Sequence, residues 1–220
     1  IGVPAQHKTI QAAIDAASTG DVILVDLGTY HERLVLKRGI TLKSAGDDTQ
    51  GKLGLLRAEH TIINGGGKQG EGPGVELAEK AVLDGFTITN VGFYDDAKWK
   101  KHHATQGNLQ SYEHIGAPGV AGIAITGIST CTVINNIVHH IGYTGIAITG
   151  NPSKQVSPRV IRNFSYRNMG GGIGSMKKST AFISENTCFE NFYAGIGHDN
   201  ASPLVTKNIC YLNIRAGIGI

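Results

Sequence analysis

The sequence predicts a parallel β-helix, a solenoid of stacked β-coils opened by one short helix. Three observations predict it. A glycine–isoleucine pair recurs down the second half of the chain, an asparagine precedes each pair at a fixed distance, and clear helical periodicity occurs only near the N-terminus. Asn136, Asn163, Asn186 and Asn208 each follow a strand-like run. Nine residues after each stands Gly145, Gly172, Gly195 or Gly217, followed by Ile146, Ile173, Ile196 or Ile218. Gly122-Ile123-Ala124-Ile125 fits as a further copy, so the glycine-to-glycine steps are 23, 27, 23 and 22 residues. A repeat of this length with two or three short strands per copy marks a solenoid. Leucine-rich repeats share the length, but their Leu-x-x-Leu-x-Leu frame is missing.

The elements follow in chain order. Ile10, Ala13, Ile14 and Ala17 share one face at helical spacing, which predicts a capping helix over residues 9–18 with Thr9 as N-cap and Gly20 as stop. The period then becomes that of strands, in Val22-Ile23-Leu24-Val25, Leu34-Val35-Leu36 and Ile40-Thr41-Leu42, punctuated by Gly28, Gly39 and Gly46. No comparable second helix intervenes, which argues against a fold of alternating strands and helices. A long insertion, residues 92–119, interrupts a turn that is short in later coils. With coils stacked about 4.8 Å apart, aligned asparagines become ladders in which each amide satisfies the next. Asn136, Asn163, Asn186 and Asn208 form one, and Asn168, Asn191 and Asn213 a second. Cys188 and Cys210 become neighbours in a core ladder. The chain reads as a single domain over residues 1–220. Its repeat stops in mid-copy at Gly217-Ile218-Gly219-Ile220, which predicts a C-terminal continuation or a partner over the open coil.

Composition narrows the function classes. A net charge of +3, from 20 Lys and Arg against 17 Asp and Glu, does not supply the clustered basic footprint of a nucleic-acid binder. Hydrophobic residues reach 40%, too many for a disordered chain. No run approaches the roughly 18 apolar residues of a membrane span. Cys131, Cys188 and Cys210 are odd in number and lack metal-type spacing, so they suggest neither a disulfide framework nor a zinc site.

The segments Thr9-Ile10-Gln11-Ala12-Ala13-Ile14-Asp15-Ala16-Ala17, Gly20-Asp21-Val22-Ile23-Leu24-Val25 and Gly28-Thr29-Tyr30-His31-Glu32, then Gly39-Ile40-Thr41-Leu42, resemble the N-terminal cap of the pectin-lyase-like superfamily. Pectinesterases, several pectate lyases and periplasmic NosD-like proteins open similarly. Family members often carry Pro before Gly-Thr-Tyr, where this chain has Leu27. The resemblance covers cap and repeats. It implies an all-β, right-handed parallel β-helix solenoid with a short N-terminal capping α-helix, and an extracellular or periplasmic location. The Asn-Thr-Asp, Asp-Asp and Gly-His-Gly set of polygalacturonase-like hydrolases is absent, with Gly197-His198-Asp199 only a partial echo. The Asp-Pro-His motif of mannuronan epimerase-like modules is absent too, and the paired aspartates of pectinesterases cannot be placed. No family site therefore transfers residue by residue.

The repeats themselves offer a candidate surface. Strand alternation predicts inward isoleucines and an outward floor of Gly145 and Ala147, Gly172 and Gly174, Gly195 and Gly197, and Gly217 and Gly219. Tyr143, Gly170, Tyr193 and Arg215 stand two residues before each glycine, and Ile148, Ser175, His198 and Ile220 three after. Lys177, Lys178, His198, Asp199 and Asn200 gather on the turns beyond. Such a floor suits an extended anionic sugar chain, since Arg pairs a carboxylate at two points and Tyr stacks on sugar rings. β-Elimination of a uronate requires neutralising the carboxylate and removing the C5 proton, work for Arg, Lys, His or Tyr. Arg215, Tyr193, His198 and Lys177 are the expected catalytic residues, with Arg215 beside Tyr193 and His198 beside Lys177. Tyr143, Lys178, Asp199, Asn200 and Trp99 are the expected substrate-binding residues.

Trp99 lies in the insertion, with Tyr94, Asp95, Asp96, His102, His103, Tyr112, Glu113 and His114. These acids and imidazoles suit Ca²⁺ before a transition metal. Their spacing matches no ligand motif, so no metal site and no cofactor is assigned. The adjacent His139 and His140 are expected to face opposite sides of a strand. The leading expectation is a secreted carbohydrate-active protein, a polysaccharide lyase on an acidic polysaccharide, with hydrolase or epimerase as variants. The alternatives are a non-catalytic polysaccharide-binding or surface-display solenoid, and a NosD-like periplasmic metal-handling protein to which nine histidines lend some support.

Overall fold

Strands of two to six residues are too short to stand alone, and each finds its partners one coil away. The computed structural model describes residues 1–68, 72–108, 110 and 120–219. All strand ladders among them are parallel and form three sheets of eight, seven and seven strands. The first sheet runs from Gly2–Val3 to Leu204–Thr206, the second from Gly28–Tyr30 to Ile209–Tyr211, and the third from Leu34–Val35 to Ala216–Gly219. Coils succeed one another in sequence order within each sheet, the topology of a right-handed parallel β-helix.

The core is a set of stacked rows. Ile123, Ile146, Ile173 and Ile196 pair in register and are fully buried. Cys188 and Cys210 pair in register in the second sheet, as the repeat predicts. The cap is helix α1 (Ile10–Ala16), whose Ile10, Ala13 and Ile14 are fully buried. Thr9 accepts a hydrogen bond from the Ala12 amide at 3.2 Å. Glu32 accepts from the amides of Ile10 and Gln11, at 2.9 Å each, and places its charge at the positive end of the helix. Ala17 already has extended backbone, so the helix ends well before Gly20.

Two helices interrupt the coils where no helix is legible in the sequence. Helix α2 (Leu56–His60) buries Arg57 between Asp48 and Asp84. Helix α3 (Asp96–Ala104) lies in the insertion, N-capped by Asp95, which accepts from the Lys98 amide at 2.9 Å.

In the later coils, the corner between the first and second sheets and the corner between the second and third each turn on one left-handed residue. Asn135, Arg162, Glu185 and Lys207 have φ of 58°, 53°, 59° and 55° at the corner between the first and second sheets. His140, Arg167, Glu190 and Leu212 have φ of 54°, 49°, 52° and 52° at the corner between the second and third. The left-handed residue breaks strand alternation, so the next side chain also points inward, and that side chain is asparagine in most coils. Asn136 donates to Asn163 at 3.1 Å, Asn163 to Asn186 at 2.9 Å and Asn186 to Asn208 at 3.0 Å. Asn168 donates to Asn191 at 2.9 Å and Asn191 to Asn213 at 3.0 Å. Both predicted ladders are present.

Candidate functional site

The outer face of the third sheet carries one row of small side chains. Ala124, Ala147, Gly174, Gly197 and Gly219 are register partners on successive coils, and Ala124 and Ala147 each stand between two buried isoleucines. The floor is half as wide as alternation predicts. Gly145, Gly172 and Gly195 are buried rather than outward. A Cβ on Gly195 would stand 2.6 Å from Asn213 Nδ2 and 2.7 Å from the Gly217 carbonyl oxygen. The repeat glycine therefore gives close passage beneath the second asparagine ladder and does not face solvent.

The row three residues further on is also inward. Ile125, Ile148 and Ser175 are fully buried, and His198 continues that row half-buried, paired in register with Ser175. Lys177 and Lys178 stand exposed on the next turn with φ of 54° and 63°. The expected pairing of His198 with Lys177 on one face is therefore absent, because strand alternation turns His198 inward.

Two rims flank the floor. On one, Gly170 donates its amide to the Tyr143 carbonyl at 2.7 Å, Tyr193 to Gly170 at 3.0 Å and Arg215 to Tyr193 at 3.1 Å, so the four residues stack as predicted. The Arg215 guanidinium lies 5.9 Å from the Tyr193 ring centroid. On the other rim, Lys177 donates its amide to the Asp199 carbonyl at 3.2 Å and Lys178 to that of Asn200. At about 3.3 Å per residue the rims are about 20 Å apart. Arg215 and Tyr193 thus share one edge, and Lys177, Lys178, Asp199 and Asn200 the other.

Helix α3 is anchored outside the Tyr193–Arg215 rim. Trp99 is 2% exposed, clustered with Met169, Phe192 and Ile214. Its indole donates to the Glu190 carbonyl at 2.8 Å, Arg167 lies 4.4 Å over its ring, and His103 stacks on it at 4.5 Å. Trp99 is thus an anchor across several coils, with no open face for a sugar. Lys98 Nζ sits 5.8 Å from the Phe192 ring centroid and adds a cation near this rim. It is missed in the sequence because its place depends on α3. Asp95 serves as an N-cap and Asp96 pairs with Lys100 at 2.6 Å. Tyr112, Glu113 and His114 lie outside the described residues. Among the described residues no group of three or more His, Cys, Asp or Glu is placed to hold a metal ion, and no helix is long and apolar enough to cross a membrane.

His139 and His140 depart from expectation. Their Nδ1 atoms are 2.6 Å apart, because the left-handed φ of 54° at His140 cancels strand alternation. His139 also meets Thr89 Oγ1 at 3.1 Å and stacks on Tyr166 at 5.0 Å, above Phe189 and Tyr211. Burial first, and His140 second, push the His139 pKa down to about 4. The unfolded chain then binds the extra proton between an ordinary pKa of about 6.5 and the folded value. Stability is present above that window and falls as pH drops through it, by up to about 3 kcal/mol. Urea denaturation at pH 7 and pH 4 should show this loss, and His139→Phe should reduce it.

A family model described as right handed beta helix region matches residues 74–220. No curated protein sequence matches the chain. Among solved structures, a pectin methylesterase from Erwinia chrysanthemi is similar with a TM-score of 0.42 and 12% identity, over 86% of this chain and 66% of that one. The pectin methylesterase from Aspergillus niger gives a TM-score of 0.47 and 11% identity, over 99% of this chain and 84% of that one. This chain spans just under two thirds of the length of the Erwinia protein.

Proposed function

The chain belongs to the right-handed β-helix family, and from that premise we propose that it is a secreted protein that binds an extended acidic polysaccharide along the outer face of its third sheet and cleaves it by β-elimination. One observation carries this reading. An unobstructed row, Ala124, Ala147, Gly174, Gly197 and Gly219, crosses five coils between a Tyr193–Arg215 rim and a Lys177–Lys178 rim. A flat strip of backbone and methyl groups admits a polymer that larger side chains would block, and the rim cations match its charge.

In the proposed reaction Arg215 pairs the uronate carboxylate in two-point fashion and stabilises the charge that develops as C5 loses its proton. Tyr193, once it has given its own proton to solvent, takes that proton. The electron pair forms the C4–C5 double bond as the C4–O bond breaks, and the leaving oxygen takes a proton from water. Lys177 and Lys178 hold carboxylates at the opposite rim, with Asp199 and Asn200 on the same turns and Tyr143 extending the first rim.

The separation of about 20 Å between the rims, with His198 turned inward, favours a second reading in which the face binds without turnover. A panel of acidic polysaccharides separates the two. Ultraviolet-absorbing unsaturated products establish elimination, retardation in affinity electrophoresis without them leaves binding alone and removes elimination, and the absence of both sinks the proposal. Arg215→Ala should weaken binding about tenfold or more, the usual worth of a charge-assisted hydrogen bond. Arg159→Ala, which removes a cation 4.9 Å from the Phe182 ring on the first sheet, should leave it unchanged.

A further inference from the structure

The row that floors the third sheet does not stay small along its whole length. Followed toward the N-terminal coils, its register continues from Ala124 to Glu76 and then to Val35. Val35 is 56% exposed, and Glu76 is exposed, its carboxylate without a hydrogen-bond or ion-pair partner among the described residues. Glu79 nearby is different. It accepts from the amides of Ser129 and Thr130 and lies 3.8 Å from Lys154, so its charge is already answered. Lys177, Lys178 and Arg215 all belong to coils at the other end of the row. A carboxylate-bearing polymer laid along the floor would thus pass cations over the last coils and then meet an unpaired carboxylate one coil beyond Ala124.

We infer that Glu76 is a specificity-determining residue that ends the anion-binding part of the floor. The unit over Ala124 is a neutral sugar whose hydroxyls donate to the Glu76 carboxylate. The uronate units lie over Ala147 to Gly219. The ligand class is therefore an acidic polysaccharide interrupted or terminated by a neutral sugar. At about 4.8 Å per coil, the floor from Ala124 to Gly219 extends about 19 Å, and the like-charge boundary stands just past its end. This inference rests on the polysaccharide reading above.

Calorimetric titration of the full chain with two sets of oligosaccharides of equal length tests it, one wholly uronate and one carrying a neutral sugar at one end. The chain should prefer the neutral-ended set by about fivefold, the scale of one like-charge contact at a solvated surface. E76Q should erase that preference by raising affinity for the wholly acidic set, and circular dichroism should show the same coils in both proteins. Binding of both sets without preference, or a preference that survives in E76Q, overturns the inference and leaves the polysaccharide reading standing. Binding of neither set removes both.

Discussion

Asn163→Ala is expected to destabilise the protein by about 5 kcal/mol, a large share of the stability of an ordinary domain. The Asn163 side-chain oxygen accepts from the Asn136 amide at 2.9 Å and from its Nδ2 at 3.1 Å. Its Nδ2 donates to the carbonyls of Val133 and Ile161, at 3.0 and 3.1 Å, and to Asn186 Oδ1 at 2.9 Å. All of this lies at a corner where Asn136, Asn163 and Asn186 are fully buried. Alanine removes the partner of several buried groups at once, and water cannot replace it without opening the coil. Each orphaned group costs about 1–3 kcal/mol. Asn208 closes the same ladder but is only half-buried, so Asn208→Ala should cost about 1–2 kcal/mol. Urea denaturation of the two variants checks the contrast. Equal losses would mean that the ladder is not the source of the stability.

Gly172→Ala is expected to cost about 3 kcal/mol, the upper end of the usual range for overpacking a filled interior. A Cβ there would stand 2.6 Å from the Gly195 carbonyl oxygen and 2.8 Å from Asn191 Nδ2. One is backbone of the next coil and the other belongs to the second asparagine ladder, so neither moves without disturbing stacked neighbours. Gly174, two residues further on, faces outward, and its nearest contact would be Thr144 Cγ2 at 3.4 Å. Gly174→Ala should change stability by no more than about 0.5 kcal/mol. The pair separates packing from function. A bulky residue at position 174 should obstruct the proposed binding floor without destabilising the protein, whereas the smallest possible addition at 172 should destabilise it without touching that floor.

The fold was legible because a solenoid repeats its physics along the chain. A row of buried isoleucines at Ile146, Ile173, Ile196 and the asparagines behind the corners is a one-dimensional signal, and stacking turns it directly into contacts. The cap was legible for the same reason, since Ile10, Ala13 and Ile14 declare a single buried face. The Tyr193–Arg215 adjacency also followed from coil register alone.

The facing of individual residues was less accessible. Strict alternation placed Gly172 outside and His139 opposite His140, and both assignments failed at corners. There a single left-handed residue or a tight glycine passage shifts the phase of the side chains by one, and nothing in local composition announces the shift. Trp99 was legible as a notable residue but not as a buried anchor, because its partners Glu190, Arg167 and Phe192 lie about 70 to 90 positions away in a different part of the repeat. Periodicity by itself determined the solenoid, its register and its ladders, because those depend on neighbours one coil apart. Only the tertiary structure decided which side of the wall each rim residue occupies and where the insertion lies, because those depend on backbone dihedrals at the corners and on contacts that no repeat encodes.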